Sequence, residues 1–256
     1  MLLKDMGKAG LAVMVLGTAA CAAEPSDTPT TPTPEPTSSS SPPAPSSTFE
    51  SGVPTTNPAA AGHVWHRVNL GFVSAYLLYR GGVAALVDTG VAGSEAAIEA
   101  ALGEIGLAWD AVGHVVVTHK HDDHQGSLEA ALTRSGAPWY AGAGDIAAIS
   151  ADTPGMAVGD GDSVFDLQVI ETPGHTPGHI AVLDSVAGVL VAGDALTGTG
   201  PGVAGPNTGF TEDMNLANAS ITKLAGFDYE VALFGHGDPI ESGASTLVAE
   251  LAADLG

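Results

Sequence analysis

Cysteine is nearly absent: Cys21 is the only one in 256 residues, so no disulfide can close within the chain. Basic side chains are almost as scarce, with seven Lys and Arg against 29 Asp and Glu and a formal net charge of −22. A surface of that sign repels phosphate backbones and anionic headgroups, which argues against nucleic acid as a partner. Charged residues make up only 14% of the chain and hydrophobic ones 45%. That balance fits one globular domain with added segments, since a single core extends over about 100–200 residues. The apolar run from Ala9 to Ala20 has 12 residues, too few for a bilayer core that needs about 20. No internal repeat recurs at a regular period.

Lys4 and Lys8 precede that run, and Thr18, Ala19 and Ala20 lead into Cys21. Residues 1–20 therefore read as an export signal. The pattern resembles a bacterial lipoprotein signal, in which the cysteine is lipidated after cleavage and becomes the new N-terminus. Thr18 departs from it, a Leu being more usual there. The alternative is an ordinary secretory signal with Cys21 incidental. The lipoprotein reading places the domain outside the cell, touching the membrane only through an anchor at Cys21. Loss of residues 1–20 leaves five basic and 28 acidic residues, a net −23. From Glu24 to about Pro58, Pro, Ser and Thr dominate, and the apolar content is too low to offset chain entropy. Residues 21–58 are expected to form a disordered tether or, on the same composition, an O-glycosylated stalk.

From residue 59 the texture changes. His63–Leu70, Phe72–Tyr79 and Val83–Asp88 read as strands of a meander. A helix is expected over Ser94–Ile105 with Ser94 as its N-cap, then a strand buried on both faces at Val112–Thr118 and a helix at Ser127–Arg134. Pro138–Ala141 is a short strand and Asp145–Ile149 a helical turn. Strands follow at Ser163–Glu171, His179–Asp184 and Val189–Ala192, a helix at Thr211–Leu224, a strand at Glu230–Phe234 and a last helix at Ser242–Leu255. Alternation of this kind over residues 59–256 predicts one α/β domain with mixed sheet content.

The chemistry concentrates at strand ends. Thr118–Gly126 reads T-H-K-H-D-D-H-Q-G, on the loop after a strand, where open α/β sheets place ligand sites. His119 and His121 alternate and can face one metal; Asp123 and His124 can face a second. Divalent ions such as zinc need three or four protein ligands each, so four candidates are too few for two metals. The strand ends Gly174-His175, Gly193-Asp194 and Gly235-His236 supply the deficit, each with a glycine that permits close backbone approach. One metal would take His119, His121 and His175, the other Asp123, His124 and His236, with Asp194 bridging. His63, His66 and His114 lie outside the pattern, His179 is expected to pack or cap, and Lys120 and Asp122 to point to solvent.

His-x-His-x-Asp-His followed by His, Asp and His at strand ends resembles the metallo-β-lactamase superfamily, over about residues 62–256. The resemblance implies a four-layer αββα sandwich with the metals in a cleft between two sheets. It also makes Asp88, in Leu86-Val87-Asp88-Thr89-Gly90, the hydrogen-bond partner of a ligand. Two divalent ions, expected to be zinc, would lower the pKa of bound water to ~7. The metal-bound hydroxide would attack a substrate carbonyl, with Asp123 passing a proton to the leaving atom.

The ligand set narrows the substrate. His121 stands where flavodiiron oxidoreductases have a glutamate, which disfavours a redox centre. Asp194 resembles the bridge of glyoxalase II and the lactonases more than the set of true zinc β-lactamases. Glyoxalase II carries a helical glutathione-binding domain after its last histidine, whereas 20 residues follow His236 here. The expected substrate is a neutral ester, lactone or amide, with the Gly/Pro-rich residues 198–209 as a wall of the cleft. Competing readings are a β-lactam hydrolase, a mononuclear iron oxygenase resembling persulfide dioxygenases and using His119, His175 and Asp194 alone, and a surface metal-binding protein without turnover.

Overall fold

The structure is a computed structural model and describes residues 61–255; the export signal, Cys21 and the tether to residue 58 lie outside the described residues. The first sheet runs in the order β1 (Val64–Asn69), β2 (Ser74–Arg80), β3 (Val83–Val87), β4 (Val112–Val117), β5 (Trp139–Gly142) and β6 (Met156–Val158). The first three strands form an antiparallel meander; β3 to β6 are parallel. The second sheet begins with β7 (Ser163–Val164), β8 (Leu167–Glu171), β9 (Ile180–Asp184) and β10 (Val189–Gly193), all antiparallel neighbours. A small hairpin of β11 (Thr197–Gly198) and β12 (Val203–Ala204) stands apart, and β13 (Val231–Phe234) completes the sheet parallel to β10.

Strand periodicity builds three apolar layers, because successive side chains point to opposite faces. In β2, Leu77 packs outward, with Leu86, Ile98, Leu102, Leu128 and Trp139. Its neighbours Tyr76 and Leu78 point inward and meet Val116, Val169, Val182, Val191 and Leu233 between the sheets. The far face of the second sheet, through Ile170, Leu183 and Leu190, packs on Ile221, Leu224 and Val248. Those helical residues belong to α1 (Glu95–Glu104), α3 (Leu128–Ser135), α4 (Met214–Leu224) and α5 (Ala244–Asp254), with the single turn α2 (Asp122–Gln125) lying between α1 and α3. The result is helices, sheet, sheet, helices, the expected αββα order. Each fully buried Leu or Val in these layers contributes about 1.5–3 kcal/mol.

Several boundaries differ from the sequence reading. Ser163–Glu171 is two strands, not one: Phe165 and Asp166 adopt φ of 53° and 60° and turn the chain between β7 and β8. Ser94 does not cap α1 with its hydroxyl; its N–H donates to Ser127 Oγ instead, at 2.8 Å. Helix α4 begins at Met214, where the Asp213 carboxylate accepts from the N–H groups of Asn215 and Leu216, a regular N-cap. Strand β6 and the β11–β12 hairpin were not expected, and the hairpin gives order to the first part of the 198–209 stretch, through Ala204.

Strand direction decides where the polar ends meet. Both β8 and β10 are antiparallel to β9, and β13 is parallel to β10, so all three end at the same edge of their sheet. In the other sheet β3 and β4 are parallel and end together, at Asp88 and Thr118. The two edges are joined by the N–H of Ile180 donating to the carbonyl of Thr118, at 2.9 Å, and by the Tyr76 hydroxyl donating to the Phe234 carbonyl, at 2.8 Å.

Candidate metal centre

His119 follows β4, and Asp123 and His124 stand on α2 rather than on an open loop. His175 follows β8, Asp194 follows β10 and His236 follows β13. All seven expected side chains converge. Donor atoms of His119, His121 and His175 lie within 4.8 Å of one another, as do those of Asp123, His124 and His236; Asp194 groups with His119 and His124. His121 Nδ1 is 3.0 Å from both His119 Nε2 and His175 Nε2. Asp194 reaches across both groups, 3.3 Å from His124 Nε2, 3.4 Å from His175 Nε2 and 3.3 Å from His236 Nε2.

Four of the five rings are oriented by hydrogen bonds at their other nitrogen. His124 Nδ1 donates to Asp88 Oδ2 at 2.7 Å, and His119 Nδ1 to Thr118 Oγ1 at 3.1 Å, while that hydroxyl donates to Asp88. His175 Nδ1 donates to Thr211 Oγ1 at 3.1 Å, and the Thr211 hydroxyl donates to the Asn207 carbonyl. His236 Nδ1 donates to the carbonyl of Phe72 at 2.7 Å. These partners fix the tautomer and leave each Nε2 lone pair for the centre, the arrangement expected around ligating histidines. Asp88 sits at φ 62°, outside the usual range, where both its oxygens accept: Oδ1 from the N–H of Thr118, Oδ2 from Thr118 and His124.

Two of the buried polar atoms that lack a hydrogen-bond partner among the described residues are His124 Nε2 and Asp194 Oδ1. They are 3.3 Å apart without hydrogen-bond alignment, in one donor group with His119. Leaving them unpaired would cost about 1–3 kcal/mol each, whereas a divalent cation satisfies both. The donor set of imidazole nitrogen and carboxylate oxygen also suits such an ion. The residues fit a metal.

The charges agree. Burial pushes the His119 imidazole well below its ordinary pKa and His175 down to about 4, keeping both neutral. Contact with Asp123 and Asp194 raises His236 to about 10. Burial opposes protonation of His124, yet Asp88 and Asp194 draw a proton onto it. The carboxylates thus attract positive charge to this point, and a divalent cation competes with those protons for it. Asp123, by contact with His236, is held below its usual pKa range.

Three glycines make the convergence possible. A side-chain carbon on Gly235 would overlap Asp194 Oδ1 and lie 2.5 Å from His124 Cε1; one on Gly193, at φ 52°, would lie 2.8 Å from His179 Nε2. On Gly174 it would overlap the backbone of Ala217.

Sequence reasoning missed the residues that hold the ligands: Thr118, Thr211 and the Phe72 carbonyl. It also missed Asp145, buried beneath the site, which accepts from the N–H of Lys120 at 3.1 Å and of Gly178 at 2.8 Å, and from the Thr176 hydroxyl. His179 packs as expected, donating to Thr172 Oγ1 and accepting from the Asp194 N–H at 3.0 Å; burial pushes it down to about 3. Asp122 is exposed. Lys120 is not free in solvent: its ammonium pairs with Glu212 at 2.7 Å. His63, His66 and His114 stand outside the cluster, His63 bonded to Asp184 and His66 to Glu104.

The family model for the metallo-beta-lactamase superfamily matches residues 68–236, and the chain belongs to that superfamily. The chain is similar to a probable metallo-hydrolase, YflN, of Bacillus subtilis, at 32% identity over 49% of this chain and 64% of the relative. It is similar to a hydroxyacylglutathione hydrolase of Acidiphilium cryptum at 34% identity, over 63% of each. The chain spans less than two thirds of the length of the first curated relatives it matches, as little as 50%. A solved metallo-beta-lactamase family protein of Thermus thermophilus superposes with a TM-score of 0.62 at 26% identity, over 75% of this chain and 79% of that one. The metallo-beta-lactamase SMB-1 shares the fold at 20% identity, with a TM-score of 0.61 over 76% and 91%.

Proposed function

We propose that this protein is a dinuclear metallo-hydrolase acting on a neutral ester, lactone or amide, exported and anchored by lipid at Cys21. The observation that carries the reading is the pair of ligand groups bridged by Asp194, with the second nitrogen of four rings already committed elsewhere. His119, His121 and His175 would hold one ion, Asp123, His124 and His236 the other, and Asp194 both; zinc suits the donors. Ions held there supply Lewis acidity and a water ionised near pH 7.

The chain's own groups do the rest. Thr118, Thr211, Asp88 and the Phe72 carbonyl keep the rings oriented, so little reorganisation is needed at the moment of reaction. Asp123 would pass a proton to the leaving alcohol or amine. It lines a cavity of about 520 Å³ together with His121, Asp194 and His236 and with Phe72, Thr197, Asn207 and Phe210.

Relatives named hydroxyacylglutathione hydrolases favour a second reading, a thioester substrate. Against an anionic thiol stand Lys120, held by Glu212, and Arg67, held by Asp238 and the Gly237 carbonyl. Both basic residues beside the centre are committed. A side-by-side screen of esters, lactones, β-lactams and glutathione thioesters on the zinc-loaded protein tests the proposal. Neutral esters or lactones should show the highest kcat/KM; a preference for the thioester would replace it with the second reading.

A further inference from the structure

Of the twelve described aromatic side chains, five are buried and five half-buried. Tyr76, Tyr229 and Phe234 are at most 1% exposed, and Trp109 and Trp139 are also buried. Two rings are exposed: Phe72 by 64% and Phe210 by 68%, and they are the only aromatics among the exposed large apolar side chains of the described residues. Both line the cavity over the candidate centre. Six aliphatic side chains are also exposed, among them Val186 and Met156, and none of the six lines that cavity. Exposed apolar residues scattered singly need no explanation; two exposed rings on one cavity of drug-sized volume do.

Each ring also stands on backbone tied to a ligand. Phe72 lies in the turn between β1 and β2, its ring stacked on His236 at 6.2 Å between centroids and 18° between planes, while its carbonyl accepts from His236 Nδ1. Phe210 precedes Thr211, whose hydroxyl accepts from His175 Nδ1, and the N–H of Phe210 donates to the Asn207 carbonyl at 3.1 Å. The backbones carrying the two rings are therefore held in register with the reacting centre, which is what a specificity surface requires. The remaining lining residues above the ligands, Thr197 and Asn207, are uncharged. The nearby cations Lys120 and Arg67 are paired with carboxylates.

Resting on the hydrolase reading above, we infer that Phe72 and Phe210 form an apolar subsite, and that the substrate is a neutral acyl compound carrying an apolar arm of several carbons or an aromatic ring. The arm lies on the two rings while the carbonyl reaches the floor of the cavity. Covering the rings removes apolar area from water, so selectivity rises with arm length until the rings are covered. A carboxylate at the end of the arm finds Lys120 and Arg67 already paired and is disfavoured.

The test uses the full chain, zinc-loaded, with neutral 4-nitrophenyl acetate and hexanoate and the 4-nitrophenyl monoester of adipic acid, which ends in a carboxylate. Binding is followed separately by fluorescence of neutral N-phenyl-1-naphthylamine, which needs no turnover. The hexanoate should exceed the acetate in kcat/KM by about tenfold or more, and the adipate should fall below the hexanoate. Phe72→Ala and Phe210→Ala should each cut the hexanoate-to-acetate ratio about tenfold, chiefly through KM, and weaken probe binding to match. Phe72→Leu and Phe210→Leu should restore part of both, and Val186→Ala should change neither. Zinc content measured on every variant identifies any that has lost the centre. If the esters are hydrolysed without regard to arm length, or the alanine variants keep the ratio at full zinc content, the subsite is wrong and the hydrolase reading stands. If no ester is hydrolysed but probe binding still depends on both rings, the subsite stands and the hydrolase reading falls.

Discussion

Replacing Gly235 with alanine adds one carbon where the centre is tightest. That carbon would overlap Asp194 Oδ1 and lie 2.5 Å from His124 Cε1 and 3.2 Å from His124 Nε2. Neither neighbour is a loose side-chain tip. His124 is fully buried and tied to Asp88, and Asp194 is fixed through its own N–H to His179. The strain must then displace the two groups the account assigns to the metals. Overpacking of this kind costs about 1–3 kcal/mol in stability. Displacement of oriented ligands should weaken metal binding by about 10–100-fold, or about 1.4–2.8 kcal/mol. Competition for zinc against a chromophoric chelator reads the affinity, and urea unfolding reads the stability. Gly136→Ala is the control. Its backbone is left-handed, φ 67°, with nothing within 4 Å of the added carbon, so it should lose about 1–2 kcal/mol of stability and no zinc affinity. Wild-type zinc affinity in Gly235→Ala would refute the packing of His124 and Asp194 around the ions.

Three further outcomes are expected. Asp88→Ala leaves His124 Nδ1 and the Thr118 N–H unpaired and should lower zinc affinity about 10–100-fold, with Asp88→Asn recovering part; equal affinity in all three forms would dismiss the orienting role. Burial works against the charge of Asp184, but hydrogen bonds from His63, Ala187 and Val186 hold its carboxyl below the usual value of 3.8. A lowered folded pKa contributes stability above the unfolded value and loses it as pH falls through the folded one. Asp184→Asn should therefore lower the unfolding free energy from urea titration at pH 7 by about 1–3 kcal/mol, with the deficit shrinking below pH 3.8; a deficit independent of pH would contradict this. The native protein should fractionate with membranes and Cys21→Ser should release it or leave it unprocessed, whereas recovery wholly in the cytosol would defeat the export proposal.

The seven polar residues were readable because four follow strands whose apolar runs mark their ends, and His121, Asp123 and His124 come in the short segment after β4. The partners that orient them were not. Thr118 and Thr211 look like ordinary hydroxyl residues, and the acceptor for His236 is a main-chain carbonyl 164 residues away, which no side-chain pattern records. The division of Ser163–Glu171 was hidden for a local reason: the turn is made by Phe165 and Asp166 at positive φ, without the glycine or asparagine that advertises such a turn. Phe72 and Phe210 resembled any other apolar residue until their exposure was known. Asp145 carried no motif, because its work is to join two loops distant in sequence, at Lys120 and at Thr176–Gly178.

The central claim is that Asp194 joins two ion sites, one on His119, His121 and His175 and one on Asp123, His124 and His236. Elemental analysis of the purified protein and of Asp194→Ala tests it most directly. Close to two equivalents of transition metal, chiefly zinc, are expected in the wild type, with a clear loss from both sites in the variant. A single equivalent of iron in the wild type, or unchanged metal content in Asp194→Ala, would contradict it.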